Sequence, residues 1–224
     1  MTEALPVTIE IDGAGAVSGL LQHPADARIG LVLAHGAGAG MTHKHMAATA
    51  DGLAARGVAI LRYQFPYMER GSKRTDAPEI AHAAVRAAVA ALASLAPELA
   101  LFAGGRSFGG RMTSQAQALV PLPGVRGLVF FAFPLHPAGK PSDARAKHLS
   151  DVRVPMLFLQ GERDELASLD LLRPTVATLG DRATLHLFTD ADHSFHVPAR
   201  SGRKDAEVMA EMLDVAARWM NTHT

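Results

Sequence analysis

Three side chains in this sequence have the types needed to make a weak nucleophile attack a carbonyl: Ser107, Asp164 and His193. A serine hydroxyl is a poor nucleophile at neutral pH. It needs a base within hydrogen-bond reach to take its proton, and the base needs a third group to fix its tautomer. Ser107 stands in Gly105-Arg106-Ser107-Phe108-Gly109, the pattern G-x-S-x-G, in which the serine occupies a strained strand-to-helix bend that pushes its hydroxyl out at the carboxyl end of a sheet. Side chains two residues before or after the serine would collide with a neighbouring strand or helix, so both places take glycine. Asp164 closes the stretch Gln160-Gly161-Glu162-Arg163-Asp164, and His193 lies in Asp190-Ala191-Asp192-His193-Ser194-Phe195-His196. Each stretch follows an expected strand, so the chain order is serine, acid, histidine. Attack on an acyl carbonyl also builds an oxyanion, which needs preorganised donors. The expected pair is the Phe108 N–H at the start of a helix and the Ala37 N–H in the glycine-rich stretch His35 to Gly40.

Rival residues sit nearby. Asp192 is adjacent to His193 and His196 lies three residues on, while His35, His43, His45 and His136 fall near other strand ends. A metal reading needs ligands on one face, but His43 and His45 are two apart on an expected helix and no third ligand follows from spacing, so no metal is expected. Gly36 and Gly38 begin G-x-G-x-x-G, yet position 41 is methionine and the next strand ends in Arg62 rather than an acid. A dinucleotide is therefore not expected, and neither is any other cofactor. Among Arg70, Lys73, Arg74, Arg106 and Arg111, the expected substrate contact is Arg111, joined by His35.

These residues need elements to hold them at strand ends. Leu99 to Ala103 is an apolar run without alternation, as in a parallel strand covered on both faces, and glycine cuts it off. Phe108, Met112, Ala116 and Leu119 then recur at helical spacing up to Pro121. Earlier, Val7 to Ile11 and Val17 to Leu21 flank Asp12-Gly13 as a hairpin, Ile29 to Ala34 and Val58 to Leu61 are strands, and Thr42 is placed to cap a helix through Met46, Ala50 and Leu53. Asp76 and Pro78 open a further helix that runs to Pro97. Leu128 to Phe133, Val154 to Gln160 and Thr184 to Phe188 are the later strands, and Met209, Met212, Leu213, Ala216 and Met220 form the stripe of a final helix. Such alternation predicts an α/β fold, a doubly wound, mostly parallel sheet with helices on both faces, whose sites gather at the carboxyl ends of the strands.

Length and charge narrow the partners. With 224 residues, 48% of them hydrophobic, one domain spanning residues 1–224 is expected. Lysine plus arginine balances aspartate plus glutamate at 22 each, which argues against nucleic acid or an anionic membrane surface and for a small molecule. There is no cysteine, so disulfides and thiolate chemistry are excluded. The opening MTEALPVTIEID carries acids and proline where a secretory signal needs a basic start and an apolar run, which makes a cytoplasmic location the expectation. Nothing specifies an oligomeric state.

The stretches LAHGAGAGM, RYQFPYMERG, GGRSFGGRM, FPLHPAGKP, LFLQGERD and DHSF together run from Leu31 to Phe195. On them the chain resembles the α/β-hydrolase superfamily, and within it the small lidless dienelactone-hydrolase-like branch that includes relatives of testis-expressed protein thirty and of the third subunit of the NSL acetyltransferase complex. The resemblance implies Ser107, Asp164 and His193 as a triad. It does not carry over the lactone substrate, because dienelactone hydrolases usually have cysteine where this chain has serine. The expected activity is hydrolysis of a small carboxylic ester or thioester through an acyl-enzyme; the alternative is a catalytically silent hydrolase fold that serves as a binding or assembly module. In larger members of the superfamily a lid follows the strand that corresponds to Leu128 to Phe133. Here Pro134 to Arg153 contains Pro134, Pro137, Gly139 and Pro141, which leaves room for one short helix around Ser142 to Leu149. An open site is expected, rimmed by that segment and by Tyr63 to Arg74.

Overall fold

A computed structural model describes residues 2–224. Eight strands form one sheet: β1 (Leu5–Ile11), β2 (Gly15–Gln22), β3 (Ile29–Ala34), β4 (Val58–Tyr63), β5 (Ala100–Arg106), β6 (Val125–Phe131), β7 (Met156–Gly161) and β8 (Ala183–Phe188). Their order across the sheet is β1-β2-β4-β3-β5-β6-β7-β8. The β1–β2 hairpin and the β2–β4 pair are antiparallel, and every pair from β4 to β8 is parallel. The order reverses beside β3 and β5, so the loops beyond these two strands open a crevice at the sheet's carboxyl edge.

Helices α1 (Lys44–Ala54) and α6 (Asp205–Asn221) cover one face, where Met46, Leu53, Val208 and Met212 pack with Leu31, Ile60 and Leu159. Helices α3 (Pro78–Leu95), α4 (Phe108–Leu119) and α5 (Leu169–Ala177) pack with the other face through residues such as Val85, Leu92, Met112 and Leu172. Two sealed faces explain why β3, β4 and β7 are buried at every position and show no alternation. A short helix α2 (Pro66–Glu69) follows β4. No cap domain is present among the described residues, and no helix there is long and apolar enough to cross a membrane.

Three local expectations change. The strand before Ser107 does not stop at the glycines but runs through them to Arg106, since Gly105 pairs with Ala34 on one side and Phe130 on the other. His43, not Thr42, caps α1: its Nδ1 accepts the His45 N–H at 3.4 Å. Asp76 does not cap α3 either; its buried carboxylate accepts the Tyr67 N–H at 2.7 Å and pairs with Arg70 at 2.6 Å. The single short helix expected around Ser142 to Leu149 is a 3₁₀ segment, Ala144–Asp151.

Candidate active site

Ser107 joins β5 to α4 with φ 49° and ψ −115°. A non-glycine residue at positive φ costs about 1–3 kcal/mol, which the surroundings must offset. They do so by close packing on both sides of the bend. A Cβ on Gly105 would stand 2.5 Å from the Ala34 carbonyl oxygen, and one on Gly109 would stand 2.5 Å from that of His35. Only glycine lets β3 approach this closely, and the Ser107 N–H donates to the Phe131 carbonyl at 3.0 Å on the other flank.

The structure brings Ser107, His193 and Asp164 together from three strand ends. His193 Nε2 lies 3.0 Å from Ser107 Oγ and its Nδ1 lies 2.7 Å from Asp164 Oδ2. A carboxylate can only accept, so the ring proton sits on Nδ1 and Nε2 accepts from the hydroxyl. Asp164 has no exposed side-chain surface, and the Gln160 amide and the Leu166 N–H also donate to it. Those donors stabilise the charged carboxylate in its buried position. Asp192 does other work: its Oδ1 accepts the Ser194 and His196 backbone N–H groups at 2.7 and 3.0 Å, which shapes the loop that carries His193. His196 turns away to Asp205 at 2.9 Å.

The loop beyond β3 lies against the serine, since a Cβ on Gly36 would come 3.9 Å from Ser107 Cβ. His35 Nδ1 donates to the Gly36 carbonyl at 2.7 Å, and the Tyr67 hydroxyl reaches the Gly36 and Ala37 carbonyls at 3.4 and 2.9 Å. In a trans peptide the N–H points opposite to the C=O. Pinning the Gly36 carbonyl therefore fixes the direction of the Ala37 N–H. Among the described residues neither the Ala37 nor the Phe108 N–H has an acceptor in the protein, which leaves both free for an anionic oxygen.

His35 is thus a positioning residue and not the substrate contact expected from sequence. It is wholly buried, its Nε2 accepts the Phe65 N–H at 3.0 Å, and burial pulls its pKa down to about 4, so the ring stays neutral. Tyr67 lies in RYQFPYMERG, a stretch that carries the resemblance but gives the tyrosine no role. Burial and Asp76 push its pKa up to about 12, which keeps the phenol a donor.

Arg111 is also displaced from its expected role. Its guanidinium lies over the Phe108 ring at 5.9 Å, and Arg111 is outside the residues that line the cleft over Ser107. That cleft, about 450 Å³, is walled by residues 36–39 and 43–46 together with Arg106, His193 and Ser194. The expected rim at Pro134 to Arg153 contributes nothing to it. The 3₁₀ segment is drawn down onto α4 by burial of Ala146 and Leu149 and by the 2.8 Å contact between His148 Nε2 and Ser114 Oγ. Part of the Tyr63 to Arg74 rim is present, as Met68 and Gly71 to Lys73 line a second hollow that shares Ala37 and Gly38. Arg62, which stands at the strand end where a dinucleotide site would have an acid, is buried with its fork on the Met41 carbonyl and Gln22.

A doubly wound sheet with a serine on a strained bend, and an acid and a histidine arriving beyond later strands, defines the lidless α/β-hydrolase class. The chain belongs to the alpha/beta hydrolase domain family, whose profile matches residues 27–221. Among solved structures it is similar to a dienelactone hydrolase from Anabaena variabilis, with a TM-score of 0.79, 19% identity and coverage of 99% of this chain and 98% of that one. It is also similar to an α/β serine hydrolase without a lid from Xanthomonas campestris, with a TM-score of 0.75, 22% identity and 98% and 96% coverage. An esterase from Pyrococcus furiosus superposes with a TM-score of 0.72, 16% identity and 95% and 92% coverage. At such identities the likeness shows the fold, and family membership together with these neighbours supports a hydrolase.

Proposed function

We propose that the protein is a serine hydrolase that cleaves small carboxylic esters or thioesters through an acyl-enzyme. The observation that carries this reading is the unbroken chain of hydrogen bonds from Ser107 Oγ through His193 to Asp164. Ser107 attacks the acyl carbon while His193 Nε2 takes its proton, and Asp164 stabilises the imidazolium. The tetrahedral oxyanion sits between the Ala37 and Phe108 N–H groups. On collapse His193 gives the proton to the leaving alcohol or thiol, and the acyl group stays on Ser107. Water then attacks, with His193 again as base, and the carboxylic acid departs.

The open cleft supports small, water-soluble substrates, since without a cap a long acyl chain would stay in water. A fluorophosphonate probe tests the chemistry: it should label the wild type and leave Ser107→Ala unlabelled. Hydrolysis of p-nitrophenyl esters of increasing acyl length tests the substrate class. Turnover should fall beyond short chains, and a preference for long chains would refute the assignment.

A further inference from the structure

Besides His193, four basic residues, His43, Lys44, His45 and Arg106, line the cleft over Ser107, and no carboxylate among the described residues does. Overall composition does not explain this bias, because the chain's formal charges cancel. The nearby acids lie outside that lining, although the charges of Asp164 and Asp192 reach Arg106 and that of Asp205 reaches His45. Asp164 is held by His193, Gln160 and Leu166, Asp192 by backbone N–H groups, and Asp205 by His196 and the Val197 N–H.

The basic groups crowd one another. The His43 and His45 rings stack with centroids 5.4 Å apart. Since His43 Nδ1 accepts the His45 N–H, the neutral ring carries its proton on Nε2 and offers a donor. Lys44 opens α1, where the helix dipole disfavours a cation and the first turn holds no acid to offset it. Arg106 lies over the Phe195 ring at 5.9 Å and spends Nη2 on the His193 carbonyl at 3.1 Å; among the described residues its other N–H groups have no acceptor. The field is felt at His45, whose pKa is lowered by burial and then by Arg106, His43 and Lys44, with only Asp205 opposing.

We propose that the ester cleaved at Ser107 carries an anionic oxygen group, a carboxylate or a phosphate, on its leaving-group side, seated between Lys44, His43 and Arg106. The inference rests on the serine-hydrolase reading. The side follows from proton delivery. His193 must hand its proton to the leaving atom, and His193 opens on this cleft, whereas the hollow at Met68 and Lys73 does not include it; under this proposal the acyl group is the part of the ester that points to that hollow.

The test uses para-substituted phenyl acetates whose charge is insulated from the phenol by methylene: phosphonomethyl, carboxymethyl, 2-hydroxyethyl and 2-aminoethyl. At low salt kcat/KM should fall in that order, with about a tenfold step from carboxymethyl to hydroxyethyl that shrinks as salt screens it. Lys44→Glu should cut the carboxymethyl-to-hydroxyethyl ratio about tenfold. Arg126→Glu, the same charge reversal at an exposed site at the start of β6, should leave the ratio unchanged. Equal rates across the series, with Ser107 still labelled by fluorophosphonate, would overturn the charge proposal and leave the hydrolase reading standing. Faster turnover of phenyl hydrogen succinate than of every anionic acetate would overturn the leaving-group assignment. If nothing is hydrolysed or labelled, the hydrolase reading falls, and binding decides the charge question through the NMR resonances of the His45 ring. Tighter binding of 4-hydroxyphenylacetate than of 2-(4-hydroxyphenyl)ethanol supports the basic site, and equal or absent binding refutes it.

Discussion

His35 and His193 both stand beyond strand ends, and each has both ring nitrogens engaged. Their partners differ in kind. His35 takes the Phe65 N–H on Nε2 and gives its Nδ1 proton to the Gly36 carbonyl. Neither backbone group exchanges protons near neutral pH, so the ring acts as a brace. His193 faces a hydroxyl and a carboxylate, and its side chain keeps 21% of its surface open. A proton can pass through it, because the hydroxyl loses one on attack and the carboxylate stabilises the resulting cation. What a histidine does here is set by whether side chains or backbone hold it.

The largest break in this comparison is Ser107→Ala, which should lower kcat for ester hydrolysis by about 10³-fold or more with an unchanged melting temperature. His193→Ala should cost as much activity. Activity close to wild type in either variant would remove the mechanism.

Next comes the acid. Asp164→Asn should cost about 10³- to 10⁴-fold in kcat, because an amide no longer holds the Nδ1–H tautomer. Asp192→Asn should cost only a few-fold, since an amide oxygen can still accept the two backbone N–H groups. The reverse ranking would mean that the acid is misassigned.

Acid pH should separate the histidines further. His35 titrates at about 4 in the fold, against an ordinary value of 6.5 when unfolded. The unfolded chain therefore takes up the proton first, and stability present above pH 6.5 is lost as pH falls toward 4, by about 3 kcal/mol from this group. Ring shifts followed by NMR should show His35 unprotonated at pH 5.5. A midpoint near 6.5 would show that the brace is open to water.

A smaller loss than at any triad position is expected for Tyr67→Phe, which removes the hydroxyl that pins the Gly36 and Ala37 carbonyls. It should lower kcat about tenfold while KM changes little, because a looser Ala37 N–H weakens only the oxyanion contact. A change confined to KM would instead place the hydroxyl in substrate binding.

Much of this protein was legible because it is written in neighbouring residues. The alternation of strands and helices follows from short-range apolar spacing. The glycines at 105 and 109 follow from the bend they flank, and the order Ser107, Asp164, His193 follows from their places after strands. Only the tertiary structure decided how the remaining polar groups are used. His35 became a brace because Phe65 and Tyr67, about thirty residues on, fold over it. Arg111 came to lie over the Phe108 ring. Lys44, in a stretch with no motif of its own, came to line the same cleft as the serine, and the segment after β6 was pulled away from the cleft by Ser114 and His148. Strand and helix formation depends on sequence-local sterics and periodicity, whereas the direction and charge state of a polar side chain depend on which distant segments surround it.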